Sequence, residues 1–336
     1  MFVEKVAPAL QRELCNDDLI IIDRKIKDLY PDLLNGNPKF IALDAHEYQK
    51  SLEGLIPVIH KLIGNGFQRT HRLVAIGGGV IQDVTGFIAS VIYRGVEWIY
   101  LPTTLLAQGD SCIGSKTSIN FGEFKNQLGG YYPPNKILIA PEFLATLSKV
   151  DIDSGLGEMS HYFVAAGEDD FNQYRRDYET SISDPDVFRR MIARSLQIKK
   201  RYVEADEFDR GERQLLNYGH SFAHAIESQT NYEVPHGIAV SYGMDMANFV
   251  SVKRGYLSTD IRYEIRGLLE KIWTGYQIPH VSADQVLLGL SKDKKNVGKE
   301  LRLILCKGYG NLFKAAQNID KEFRDWIQEY FERELN

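Results

Sequence analysis

A chain of 336 residues is long for one hydrophobic core and fits two domains of ordinary size. With 44% hydrophobic and 25% charged residues it is neither disordered nor fibrous, and a net charge of −5 at pH 7 argues against a dedicated nucleic-acid binder. Cys15, Cys112 and Cys306 are widely spaced and form no CxxC pattern, which argues against a disulfide framework and a thiolate metal site. The opening stretch MFVEKVAPALQRELCNDDL mixes charge throughout, and no apolar run reaches the roughly 20 residues that cross a bilayer. The expectation is a soluble cytoplasmic protein with no membrane or nucleic-acid partner.

In chain order, LIIID (19–23), KFIALD (39–44) and LVAIGGG (73–79) are short apolar runs with helix-like segments between them, such as SLEGLIPVIHKLIGNG. That rhythm predicts a parallel α/β sheet covered on both faces, extended by WIYLPTTLLAQ (98–108) and KILIAPEFLATL (136–147). Residues 1–150 therefore read as a doubly wound α/β domain. Beyond LSKVDIDSGLGE, where the character turns small and polar, long amphipathic segments such as PDVFRRMIARSLQIKKRYVEADE and KEFRDWIQEYFEREL predict a mostly helical domain over 151–336. Only LRLILCKGYGNLFKA (301–315) suggests a late hairpin.

Gly77, Gly78 and Gly79 lie between a strand and a helix, where missing side chains let a phosphate approach the free amides of a helix start. The stretch is neither GxGxxG nor a P-loop, so a tight turn with no ligand is an equal reading. Asp83, one helical turn on, suits a ribose contact or a favourable charge at the helix start. Asp23, which ends the first strand, is a further candidate on the cofactor side.

The segment GSKTSINFGEFKNQLGG reads as a glycine-punctuated loop carrying Lys116, Lys125 and Asn126, with Asp110 just before it. Together with Arg94, Lys199, Arg213, Lys294 and Lys295 these groups suit a substrate bearing both phosphate and carboxylate. NYGHSFAHAIES puts His220 and His224 four apart on one helical face, VPHGIAVSYGM adds His236, and SGLGEMSHYF offers Glu158 and His161 at a helix start. Any one of these histidines is more often structural. As a cluster they point to metal or acid/base chemistry.

Taken in order, GGGVIQDVTGFIAS, YRGVEWIYLPTTLLAQGDSCIGSKTSIN, KNQLGGYYPP, SGLGEMSHY, DEFDRGERQLLNYGHSFAHAIE, PHGIAVSYGM and KDKKNVGKELRLIL resemble the 3-dehydroquinate synthase family of sugar-phosphate cyclases. The similarity covers roughly residues 19–310. It implies an N-terminal NAD-binding domain, a helical metal-binding C-terminal domain and a homodimer. Glu158, His220 and His236 would hold a divalent ion, zinc or cobalt, with His224 a catalytic partner rather than a ligand. Asp110, Lys116, Asn126, Lys199, Arg213, Asn217 and Lys294 or Lys295 match substrate-contacting positions, and Arg94 resembles an arginine that reaches a phosphate in the neighbouring subunit. Lys125, the 77–83 loop and Thr103 or Thr104 match cofactor contacts. Glu47 and Lys50 in DAHEYQKSLE match a further NAD-contacting segment, with Ala45 where the family has glycine.

The implied activity is that of a lyase: redox-neutral cyclisation of a sugar phosphate with loss of phosphate, NAD being regenerated within the cycle. Retention of Lys199 and Arg213, which meet a carboxylate in the family, favours a 3-deoxy-arabino-heptulosonate 7-phosphate-like substrate. His161 stands where the family's synthases have lysine, which leaves room for another cyclitol synthase of the 2-deoxy-scyllo-inosose or amino-dehydroquinate type. A metal-dependent polyol dehydrogenase is the remaining enzyme reading.

Overall fold

In the computed structural model of the chain, the apolar runs of the first half become neighbouring parallel strands. The structure describes residues 1–36, 38–122, 124–181, 184–276, 281–292 and 300–335. The chain divides into two units, Met1–Ser148 and Lys149–Asn336.

The first unit runs α1 (Val6–Glu13), β1 (Leu19–Asp23), α2 (Arg24–Leu29), β2 (Lys39–Leu43), α3 (Leu52–Gly64), β3 (Leu73–Gly77), α4 (Gly79–Val91), β4 (Trp98–Pro102), β5 (Lys116–Phe121), β6 (Phe124–Tyr131) and β7 (Lys136–Ile137). Five of these strands form one parallel sheet in the order β2-β1-β3-β4-β7. Residues of both β3 and β4 are buried throughout, as expected for strands covered on both faces. Ile20, Ile22, Val74, Ile76, Ile99 and Leu101 pack with Leu10, Ile26 and Phe143 into the core. The chain moves from β1 to β2 on one side, then returns to place β3 on the other side of β1. Open sheets of this kind bind ligands at that reversal, beyond the carboxyl ends of the strands.

Two segments differ from their sequence reading. The glycine-punctuated stretch 114–130 is an antiparallel hairpin, β5 with β6, rather than a loop. Gly129 serves close cross-strand approach: a Cβ there would fall 1.9 Å from the Thr117 carbonyl oxygen. The fifth apolar run contributes only Lys136 and Ile137 to the sheet before a 3₁₀ turn at Pro141–Thr146.

The second unit comprises α5 (Lys149–Ala166), α6 (Glu168–Ser181), α7 (Pro185–Ala205), α8 (His220–Gln229), α9 (His236–Lys253), α10 (Thr259–Trp273), α11 (Ala283–Ser291), the antiparallel pair β8 (Glu300–Cys306) and β9 (Leu312–Asn318), and α12 (Lys321–Arg333). Helix starts carry the expected caps. The Asp184, Ser258 and Asp320 side chains accept backbone amides at α7, α10 and α12, and Ser282 with Gln285 forms a capping box at α11. Every residue of α9 from Gly237 to Ser251 is buried, so this helix has no solvent side and forms the axis of the unit. Helices α5, α8 and α10 pack on it.

The small residues read as a linker at 154–157 lie inside α5, so Glu158 and His161 are mid-helix rather than at a helix start. They are small because α5 touches α9 backbone to backbone. A Cβ on Gly157 would fall 2.1 Å from the Gly237 carbonyl oxygen, and one on Gly237 would fall 1.7 Å from that of Ser154. Asp245 anchors α9 elsewhere: it accepts from Arg262 (3.1 and 3.0 Å), Arg266 (2.8 Å) and the Tyr330 hydroxyl (2.8 Å). Among the described residues no helix is long and apolar enough to cross a membrane.

Replacing Gly237 by alanine is expected to cost about 3 kcal/mol of unfolding free energy, since neither backbone can retreat. Gly267→Ala in α10, where a Cβ meets nothing within 4 Å, should be neutral or stabilising by up to about 1 kcal/mol. Urea unfolding of the two variants side by side makes the comparison, and equal stabilities would remove the close-contact argument.

Candidate functional site

In the first unit, the glycine run marks the sheet's reversal point. Ile22 pairs with Ile76, which puts Asp23 beside Gly77 at the ends of β1 and β3. The three glycines divide by cause. A Cβ on Gly77 would fall 2.4 Å from Ile81 Cγ1 and one on Gly78 2.9 Å from Thr104 Cγ2, so both are required by packing. A Cβ on Gly79 meets nothing within 4 Å. Gly79 is the first residue of α4, and the first amides of a helix have no acceptor within it. The Thr103 amide donates to the Gly77 carbonyl (3.0 Å), holding the end of β4 against the same turn. Asp110 follows in the wide turn Ala107–Ser111, which Ser111 and Gln82 tie to α4.

A second group of expected residues converges near α4. Lys50, buried in spite of its charge, has Nζ 2.8 Å from Asp83 Oδ2 and 3.6 Å from Glu47 Oε1, and it donates to Asn126 Oδ1 at 2.9 Å. Burial lowers the Lys50 pKa, but the Asp83 and Glu47 carboxylates outweigh that and hold the ammonium above its ordinary value. Asn120 donates to Glu47 (2.9 Å), and Lys125 Nζ lies 3.8 Å from the same oxygen. Both Asp83 oxygens are engaged by protein groups, Lys50 and the Ser118 amide. Asn126 holds its place with a left-handed backbone, φ 53°. Lys116 begins β5 on the exposed side. Arg94 is exposed beyond the far end of α4, about 20 Å along that helix from Gly79, in a turn where Tyr93, Arg94 and Gly95 all take positive φ.

In the second unit, Glu158 of α5, His220 of α8 and His236 of α9 bring one donor atom each within 4.8 Å of one another. Each of the three is next in sequence to a glycine of a backbone contact. Gly157 and Gly237 close α5 on α9, and a Cβ on Gly243 of α9 would fall 2.1 Å from the carbonyl oxygen of Gly219, which precedes His220. The helices thus meet at the points where they present ligands. His220 Nε2 lies 3.5 Å from Glu158 Oε1 and His236 Nε2 3.4 Å from Oε2.

The outer partners settle what those nitrogens are. His220 Nδ1 faces the Tyr218 carbonyl at 3.2 Å and His236 Nδ1 faces the Glu227 carboxylate at 3.1 Å. Both partners only accept, so each Nδ1 carries a hydrogen, and in the neutral ring each Nε2 then turns a lone pair toward Glu158. Glu158 Oε2 is buried and accepts no hydrogen bond from the described residues. Burial pushes the Glu158 carboxyl up, but His220, His236 and His161 in their protonated forms pull harder and hold it well below the usual carboxylate range. Lone pairs facing a buried carboxylate repel unless protons or one shared cation come between them, and two imidazoles with one carboxylate fit a zinc-like divalent ion. His224 is exposed, its ring 5.8 Å from that of His220 and 6.0 Å from that of His236, which leaves the cluster open on that side.

Lys199 on α7, and Arg213 and Asn217 in the 212–217 turn, belong to elements that pack on α5. Lys199 and Arg213 are buried, and Arg213 Nη1 donates to the Glu207 carbonyl at 2.5 Å. Lys294 and Lys295 lie outside the described residues.

Residues 40–154 match the 3-dehydroquinate synthase N-terminal family and residues 155–296 the 3-dehydroquinate synthase C-terminal family. The chain belongs to the 3-dehydroquinate synthase family. It is 37% identical over 295 residues to the 3-dehydroquinate synthase of Sulfurovum sp., covering 87% of this chain and 82% of that one. It is 34% identical over 313 residues to a bifunctional 3-dehydroquinate synthase/phosphatase of Fusobacterium nucleatum, covering 90% of this chain but spanning only 47% of that longer protein. Among solved structures, the 2-epi-5-epi-valiolone synthase of Streptomyces hygroscopicus, with NAD+ and Zn2+ bound, superposes with a TM-score of 0.86 at 27% identity, over 99% of this chain and 96% of that one.

Within this family member the sequence reading missed Glu227 and Asn120. Glu227 was within reach, because His220, His224 and Glu227 at i, i+4 and i+7 share one face of α8. Asn120 and Ser118 were hidden by reading β5 as a loop.

Glu227→Gln should keep the fold and weaken zinc or cobalt binding by roughly 10- to 100-fold, since outer partners orient the ring that binds. Competition with a coloured chelator measures this, and an unchanged affinity would show that Glu227 does not set the His236 ring.

Proposed function

We propose that the protein is an NAD- and metal-dependent lyase, a sugar-phosphate cyclase of the 3-dehydroquinate synthase type acting on a 3-deoxy-arabino-heptulosonate 7-phosphate-like substrate. The observation that carries this reading is the meeting of Glu158, His220 and His236, with their Nδ1 hydrogens directed outward, in a chain of this family. Three free cysteines suit a reducing cytoplasm, and a homodimer is the assembly proposed.

Glu158, His220 and His236 would hold a zinc or cobalt ion, and the amides around Gly79 would take the dinucleotide's phosphates. When bound, the ion polarises a secondary alcohol and the nicotinamide accepts and later returns a hydride, so the reaction is redox-neutral overall. The chain's own groups orient the substrate. Lys199 and Arg213 suit its carboxylate, Lys116 and Asn126 its phosphate, Asp110, Asn217 and Lys294 or Lys295 its hydroxyls, and Arg94 a phosphate in the neighbouring subunit of the proposed dimer. His224, exposed beside the His220 and His236 rings, lies outside the Glu158, His220 and His236 set, where it would hold or pass a proton at a ring nitrogen. The buried Lys50, Glu47 and Asp83 set, with Lys125 beside it, fixes the wall behind α4, so little reorganises when the cofactor enters.

Purified protein with NAD and zinc or cobalt is to be given the heptulosonate 7-phosphate, glucose 6-phosphate and sedoheptulose 7-phosphate. Phosphate release from the heptulosonate with no net NADH is expected. Release from one of the other two alone would change the substrate and keep the chemistry, and accumulating NADH would replace the cyclase by a dehydrogenase.

The role given to Gly79 has its own test. Gly79→Ala should leave unfolding stability equal or raise it by up to about 1 kcal/mol, while NAD affinity falls roughly tenfold or more, equivalent to about 1.4 kcal/mol. Calorimetric NAD titration reads the second effect, and an unaltered affinity would separate this glycine from the cofactor.

A further inference from the structure

We infer that His161 is a fourth protein donor to the ion, making a centre of one carboxylate and three imidazoles. This rests on the reading that Glu158, His220 and His236 hold a cation. Helix α5 puts Glu158 and His161 three residues apart on one face. His161 is only 1% exposed, with Nδ1 4.0 Å from Glu158 Oε1 and its ring edge-on to His220 at 5.4 Å between centroids. The His220 and His236 rings are separated by the same 5.4 Å.

Donor atoms bound tetrahedrally at about 2.0–2.1 Å stand roughly 3.3 Å apart. The Glu158 contacts to His220 and His236 already stand near that value. His161 Nδ1 has to close by about 0.7 Å on Glu158, and its ring has to turn further toward the His220 and His236 nitrogens, because its donor atoms lie outside the group within 4.8 Å of one another. A Glu-x-x-His pair on one helix ligates a shared metal site in helical bundles, so the i, i+3 spacing is geometrically competent. The competing role is packing alone, since His161 also lies on the Tyr162 ring at 3.9 Å. Packing alone leaves the metal indifferent to residue 161.

With four protein donors the ion has room to expand its coordination toward the open side at His224 and His236. Residue 161 then acts on the ion first and on the substrate through it.

The experiment compares wild type, His161→Phe and His220→Phe by chelator competition with zinc, by the visible absorption of the cobalt-loaded protein, and by the melting temperature of each metal-free form. X-ray absorption at the zinc edge of the wild type counts imidazole ligands without any variant. Three imidazoles, at least about 100-fold weaker zinc binding in His161→Phe and an altered cobalt spectrum, at an unaltered metal-free melting temperature, are expected. Two imidazoles at the zinc edge, or wild-type affinity and spectrum in His161→Phe alongside lost binding in His220→Phe, would overturn the assignment while leaving the three-ligand centre standing. A wild type that takes up no metal would remove that centre itself.

Discussion

The closeness of α5, α8 and α9 is the constraint on which the second unit turns. Helices normally pack 8–10 Å apart, with side chains filling the space between them. Here Gly157 meets Gly237 and Gly219 meets Gly243, with added Cβ atoms falling near 2 Å from backbone oxygens. The candidate ligands Glu158, His220 and His236 are each the residue next to one of these glycines. The contacts that build the core and the contacts that build the centre are therefore one set, and neither can loosen without the other.

Around that set the polar groups are arranged in two layers. Tyr218 O and Glu227 hold the outer nitrogens of the two rings and so determine what the inner nitrogens present. In the first unit the same logic holds with different chemistry. Lys50, Glu47, Asp83, Asn120 and Asn126 bond to each other, so a buried ammonium is supported by two carboxylates and two amides rather than left to a ligand. Such networks are favourable only when nearly complete, and they fix side chains that would otherwise sample many rotamers.

The parallel sheet was legible because strands buried on both faces read as continuous apolar runs, as LIIID and LVAIG do. The helical half was legible from its 3.6-residue period, and the Glu158, His220 and His236 set from the order of the motifs rather than from spacing. What the sequence hid has one physical source: glycine serves both as a turn former and as a device for close approach, and composition alone does not distinguish these uses. Gly129 in β6 and Gly157 in α5 were therefore read as loop and linker when each marks a backbone contact. The inner arrangement of Lys50 and Asp83 was likewise beyond reach, because it depends on β5 being a strand that carries Ser118 to α4.

Because α9 is enclosed along nearly its whole length and gripped at Asp245 by two arginines and a tyrosine, its position is set by the core rather than by the surface. A change in what the site accepts is thereby left to the positions beside the Glu158, His220 and His236 cluster rather than to the scaffold. Residues 161 and 224 are such positions, and a lineage seeking a new sugar has little else to vary there without dismantling the helices that carry it.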